Sequence, residues 1–205
     1  MIVEIRTADL MITRKADGLE VDLEDLQGLW TEEQYLKLTD RSRLLVEFTN
    51  GVIEFLPMPT DNHQVILLFL YDLLRTCVSG MGGKVLVAAL RLQIRPGKYR
   101  EPDILLVRDA HDPRRQNRFW LGADLVVEVV SPDDPERDTV EKVTDYAEAG
   151  IPEYWIVNPE AETITVLTLQ SEAYATHGVF RRGESAGSLL LEGFSVDVNA
   201  VLDAS

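Results

Sequence analysis

The run Leu125-Val-Val-Glu-Val-Val130 constrains this chain more than any other feature, because a near-continuous β-branched stretch reads as a strand buried on both faces. Glu128 stands inside it with apolar neighbours on either side. Carboxylates are almost never fully buried without a partner, so something must compensate this one. A salt bridge to a neighbouring strand or a sheet-edge position would do so, and so would a functional site. Asp103 bears on the choice: it follows Pro102 at the start of the preceding predicted strand, 103–107, and adjacent strands lie only about 4.8 Å apart. Two carboxylates at neighbouring strand ends repel unless a cation or a proton lies between them. A hard divalent cation is the economical solution, since Mg2+ is held by one or two carboxylates together with waters and phosphate oxygens. Such an ion polarises a phosphate and acidifies water, which phosphodiester hydrolysis requires.

The rest of the chain supplies a frame for that pair. Its 205 residues, 45% hydrophobic, suit one ordinary domain with an ample core. Residues 1–30 lack a clean period and read as an N-terminal extension; 31–205 read as the domain proper. Thr31-Glu-Glu-Gln34 has capping-box spacing. Asn50-Gly51 between Leu44–Phe48 and Val52–Leu56 predicts a hairpin. Asp61 is the candidate N-cap of a buried helix through Val65–Val78, and Lys84–Ile94 alternates as extended chain before the turn Pro96-Gly97. A helix over 136–149, stopped by Gly150, precedes a buried strand, Glu153–Val157, and two further strands, 163–169 and 173–180. The order from Asp61 onward, helix, three extended stretches, helix, strand, predicts an α/β architecture with a mixed central sheet.

Charge and cysteine content narrow the function classes. The single Cys77 excludes a disulfide framework and reads as a buried thiol. Met1–Arg6 has no basic segment leading into an apolar one, and no stretch reaches about 18 apolar residues, so the expectation is a soluble cytoplasmic protein with no membrane partner. A net charge of −15 opposes binding to a phosphate backbone. Yet between Arg91 and Arg118 eight basic residues face four acidic ones, a local +4 against −19 elsewhere, and this cluster surrounds Asp103. Arg114, Arg115 and Arg118 are its candidate nucleic-acid contacts, or else a solvated face. His63, His111 and His177 are widely spaced, and no His/Cys pair has zinc-ligand spacing. His63, near a helix start, reads as a local polar contact or as a residue at the mouth of the site. Trp120, in the polar 109–122 loop, is expected to be exposed; Tyr154 and Trp155 are expected in the core.

The ordered set Arg100-Glu-Pro-Asp-Ile-Leu-Leu-Val, Asp124-Leu-Val-Val-Glu-Val-Val-Ser-Pro, Lys142, Tyr146, Gly150 and Glu153-Tyr-Trp-Ile-Val-Asn-Pro159 resembles the PD-(D/E)XK restriction-endonuclease-like superfamily and, within it, the Uma-type endonuclease family. The resemblance covers about residues 30 to 200. It implies a restriction-endonuclease-like core (helix, three strands, helix, strand) with added N- and C-terminal strands. It also implies Mg2+- or Mn2+-dependent cleavage of DNA, with Asp103 and Glu128 as metal ligands. Where the superfamily places a lysine two residues after the glutamate, this chain has Val130, and the resemblance implies that Lys142 on the following helix replaces it. Asp138, Lys142 and Tyr146 share a helix face at four-residue spacing, beside a stripe of Val140, Val143 and Ala147. Lys142 is equally placed to be a surface partner of Asp138. Glu47 resembles an additional acidic ligand of the superfamily, or is an outward tooth of an alternating strand. The competing functions are a catalytically weak or silent nucleic-acid-binding or scaffold module on the same fold, and an inverting glycosidase, which needs carboxylates about 6.5–9.5 Å apart. A homodimer is expected where both strands of a duplex are cut.

Overall fold

The computed structural model describes residues 11–13, 16–42 and 44–205. The reading of Met1–Arg6, and the first part of the expected 1–30 extension, lie outside the described residues. In chain order the elements begin with strands β1 (Met11–Thr13) and β2 (Glu20–Asp22), helix α1 (Glu32–Thr39), strands β3 (Val46–Thr49) and β4 (Val52–Phe55), and helix α2 (Asp61–Ser79). Five strands follow: β5 (Lys84–Val87), β6 (Leu92–Arg95), β7 (Lys98–Arg100), β8 (Ile104–Val107) and β9 (Leu125–Val129). A π-helical turn, Arg137–Glu141, runs directly into α3 (Lys142–Glu148). The chain closes with β10 (Glu153–Asn158), β11 (Thr163–Gln170), β12 (Ala173–Arg181), β13 (Ser185–Gly187), β14 (Ser195–Asp197) and α4 (Val198–Leu202). These divide into two compact units, one of the described residues up to 58 with 96–100, the other of 59–95 with 101–205.

In the first unit, Thr31 caps α1 through a reciprocal bond pair with Gln34, as its spacing predicts. The hairpin β3–β4 turns on Asn50 (φ 49°) and Gly51 (φ 92°), the two left-handed positions that a tight primed turn demands. β7 pairs with the other edge of β3. Tyr35 of α1 stacks on Phe48 with ring centroids 4.9 Å apart, which fastens the helix to this ribbon.

The second unit is built on a six-stranded mixed sheet in the order β12-β11-β10-β9-β8-β5, in which only β9 and β10 run parallel. Alternation along the strands sorts side chains onto two faces. Ile104, Leu106, Val127, Val129, Trp155 and Val157 join α2 in one apolar cluster. Leu105, Val107, Val126, Val130, Tyr154 and Ile156 join Tyr146 of α3 in the other. β9 is buried at every residue, as its composition predicts.

Several details depart from the sequence reading. The α2 cap is Thr60, whose side chain accepts from His63 N; Asp61 is its first helical residue. The single extended stretch expected over 84–94 is two strands, β5 and β6. The π-helical turn widens the start of the second helix and carries Val140 to 58% exposure, out of the predicted apolar stripe. Cys77 is half-buried rather than fully buried. Trp120 is 2% exposed, because its backbone is clamped to that of Arg91 and Gln93 and its indole lies under Arg115.

Candidate active site

β8 and β9 pair antiparallel with Ile104 opposite Val127. One step further along, Asp103 and Glu128 therefore stand opposite each other on the face that α3 covers. Backbone amides across the strand pair hold both side chains: Val129 N donates to Asp103 Oδ2 at 2.7 Å, and Asp103 N donates to Glu128 Oε2 at 3.2 Å. These bonds hold both carboxylates toward one spot with little rotamer freedom. Carboxylates so close are incompatible with the wide separation of an inverting glycosidase.

The helix layer supplies the opposite charge. Lys142 Nζ lies 2.8 Å from Glu128 Oε1 and 2.8 Å from Asp138 Oδ1, with all three side chains buried. Both sequence readings of Lys142 meet here: it pairs with Asp138 and it reaches the strand carboxylate, but it is not a surface residue. The Tyr146 hydroxyl donates to the same Glu128 Oε1. Tyr154 OH donates to the Asp138 backbone carbonyl at 2.8 Å, which ties the π-helical turn to β10.

His63 completes the group. From the first turn of α2 its Nε2 comes within 3.1 Å of Asp103 Oδ2. Sequence reasoning placed it at the mouth of the site or in a local contact, with no partner identified. Only the pairing of residues forty positions apart picks out Asp103. Burial lowers the His63 pKa, but the hydrogen bond and charge of Asp103, with the charge of Asp138, outweigh it and leave the imidazole above its ordinary value. Burial acts on the Glu128 carboxyl in the opposite sense and drives it up to about 8; the Lys142 ammonium opposes the rise, and the Asp103 and Asp138 charges add to it.

Among the described residues no group of three or more His, Cys, Asp or Glu side chains is arranged to hold a metal ion. The donor set is two carboxylates. Asp103 Oδ1 has no partner among the described residues, and Glu128 Oε2 accepts only the long bond from Asp103 N. Two oxygens from facing carboxylates fit a hard cation that completes its shell with water and substrate.

Glu47, the other candidate ligand, belongs to the first compact unit. It is fully buried, so it is not an outward tooth, and it lies 3.4 Å from Arg100, which in turn donates to Thr49 Oγ1. The three arginines of the 109–122 segment differ. Arg114 is tied to Asp112 and Asp124. Arg115 donates to the Ala110 carbonyl and lies 5.4 Å over the Trp120 ring. Arg118 is exposed, and its carbonyl accepts from Arg91.

The family Uma2, "Putative restriction endonuclease", matches residues 32–199. A crystal structure of a "putative nuclease belonging to DUF820" from Anabaena variabilis shares the fold: TM-score 0.71 at 20% identity, over 85% of this chain and 98% of that one. No curated protein matches.

Proposed function

This chain belongs to the Uma2 family, "Putative restriction endonuclease", and on that premise we propose that it is an endonuclease that hydrolyses DNA phosphodiester bonds with Mg2+ or Mn2+ held by Asp103 and Glu128. Family membership supports nuclease function. The observation that carries the finer reading is the in-register pair Asp103 and Glu128 with Lys142 Nζ 2.8 Å from Glu128 Oε1. A divalent cation, when bound, supplies charge that polarises a phosphoryl oxygen and makes water a better nucleophile.

The chain's own residues do the rest. His63 and the Val129 amide hold Asp103 Oδ2, so that Oδ1 faces the site. Tyr146 and Lys142 hold Glu128 Oε1 and leave Oε2 for the cation. The Lys142 ammonium is a preorganised positive charge beside the place where a phosphate would develop negative charge, and Asp138 fixes its direction. Val130, at the superfamily's lysine position, packs in the core instead.

The test is cleavage of plasmid and oligonucleotide substrates with and without Mg2+ or Mn2+, for wild type and for Asp103→Asn, Glu128→Gln and Lys142→Ala. Metal-dependent cutting lost in all three variants is the expected result. Wild type that binds DNA without cutting it under any metal leaves the silent binding module, which the absent strand lysine allows.

A further inference from the structure

In an α-helix the Lys142 amide would donate to the carbonyl of Asp138, four residues back. Here it donates to the carbonyl of Arg137, five residues back, which is the bond of a π-turn. The Asp138 carbonyl accepts from the Tyr154 hydroxyl at 2.8 Å. A side chain of β10 therefore occupies the acceptor that an ordinary helix would give to the backbone of Lys142.

The same turn carries both members of the pair that meets Glu128. Asp138 and Lys142 are joined at 2.8 Å, and Lys142 Nζ reaches Glu128 Oε1. An extra residue in a helical turn rotates the side chains before it relative to those after it, so the width of this turn sets the angle between Asp138 and Lys142. Val140 takes up the widening, with its side chain turned out to 58% exposure.

Tyr154 is placed to hold the turn open. In the β9–β10 register Tyr154 pairs with Val126 and Ile156 with Glu128, so Tyr154 stands on the face that α3 covers, two residues from the partner of the carboxylate. Its ring meets Tyr146 edge-on with centroids 4.9 Å apart and Tyr174 at 6.1 Å. A phenylalanine would serve those ring contacts; the hydroxyl serves the carbonyl. Burial, with the charges of Glu128, Asp138 and Asp103 adding to it, holds that hydroxyl well above the ordinary phenol range, so it stays a donor at neutral pH.

We propose that Tyr154 is a positioning residue for the reaction: by capping the Asp138 carbonyl it keeps the turn π-helical, and so keeps the Lys142 ammonium beside Glu128. The proposal rests on the nuclease reading above and extends it to a side chain that acts only through Asp138 and Lys142.

The experiment compares Tyr154→Phe with Tyr174→Phe, whose hydroxyl makes the matching bond to the Ile151 carbonyl at 2.7 Å, past the other end of α3. Oligonucleotide cleavage in Mg2+ gives kcat and KM, and the NMR signal of the Lys142 backbone amide in metal-free protein reports the turn. Tyr154→Phe is expected to lower kcat by about tenfold or more, to leave KM and the half-saturating Mg2+ concentration unchanged, and to move the Lys142 amide signal. Tyr174→Phe is expected to lose a similar amount of melting temperature and to keep both kcat and that signal. Incorporation of p-aminophenylalanine in place of Tyr154 restores a donor and should return kcat. Deletion of Val140 leaves Tyr154 intact and makes the Arg137–Lys142 bond an ordinary four-residue one; it should lose cleavage without losing melting temperature, and it carries the test if Tyr154→Phe does not fold. Wild-type kcat in Tyr154→Phe, an equal loss in Tyr174→Phe, or normal cleavage after deletion of Val140 overturns the proposal. Wild type that never cuts removes the nuclease reading, and an unmoved Lys142 amide signal in Tyr154→Phe then removes the positioning role as well.

Discussion

Two buried glutamates on neighbouring strands, Glu128 on β9 and Glu153 on β10, have opposite surroundings. Glu153 is 1% exposed and accepts from Trp155 Nε1, Ser188 Oγ, Leu189 N and Leu190 N at 2.6–2.9 Å. Every donor is neutral, and together they fasten the 188–191 turn to the sheet. Glu128 instead faces the Asp103 and Asp138 carboxylates, with Lys142 as the cation between. Burial alone does not separate a structural carboxylate from a functional one. The sign of the neighbouring charges is what singles out Glu128 as the candidate, because repulsion between like charges is a cost that folding would not retain without another use.

The largest expected contrast is in activity. Asp103→Asn or Glu128→Gln should reduce cleavage by a factor of about 100 or more while leaving the fold as stable as wild type or more so, since each removes one of the mutually repelling charges. Urea denaturation alongside the cleavage assay checks both halves; a large loss of stability in either variant would place Glu128 in the same class as Glu153.

Next in size is the converse change. Glu153→Ala leaves an indole N–H and two backbone amides buried without their acceptor, and should cost about 3–5 kcal/mol in denaturant titration. Metal should not restore it.

Third is the response to pH and metal. A carboxyl raised to about 8 holds its proton more tightly in the folded chain than in the unfolded one. Its contribution to stability is fully present below the ordinary value of 4.5 and is lost as pH rises through about 8. His63, also raised, loses its contribution in the same direction as pH rises through its folded value. Metal-free wild type is therefore expected to lose stability from pH 5 to pH 8.5, with a shallower slope in Glu128→Gln. Mg2+ at a hundredfold excess over its Kd should return about 2.7 kcal/mol, more at high pH, where no proton competes, and almost none in Asp103→Asn. Thermal melts across pH, with and without Mg2+, decide it.

The smallest effect carries the comparison over to cations. Arg118→Ala should reduce the salt slope of DNA binding by about 1. Arg114→Ala, whose guanidinium is tied to Asp112 and Asp124, should leave that slope unchanged and lower stability instead. Equal slopes for the two variants would show that neither arginine meets phosphate.

Much of the candidate site was legible because its signals are local. The apolar run around Glu128, the Pro-Asp of Asp103 and the four-residue spacing of Asp138, Lys142 and Tyr146 each lie within a short stretch of chain. What escaped depends on long-range pairing. Trp120 sits in a polar stretch, so local composition reads as exposed; its burial comes from backbone bonds to Arg91 and Gln93. The partner of His63, at the foot of β8, is forty residues further along the chain. The role of Glu153 depends on a turn 35 residues later. The π-helical turn at 137–141 is invisible to a 3.6-residue period, yet it sets where Asp138 and Lys142 point.

Because the ammonium of Lys142 comes from α3 and not from β9, the two signs of charge are mounted on different layers of the second unit. The carboxylates share a hydrogen-bonded ladder that opens only with the sheet, whereas a helix of two turns can lift by local opening at far lower cost. In such an opening the acidic oxygens would keep their mutual geometry and lose the lysine alone. The ammonium and the two carboxylates are thereby mechanically separable in this architecture: whatever presses the helix onto the sheet sets how closely the Lys142 charge meets Glu128 without rearranging the carboxylates themselves.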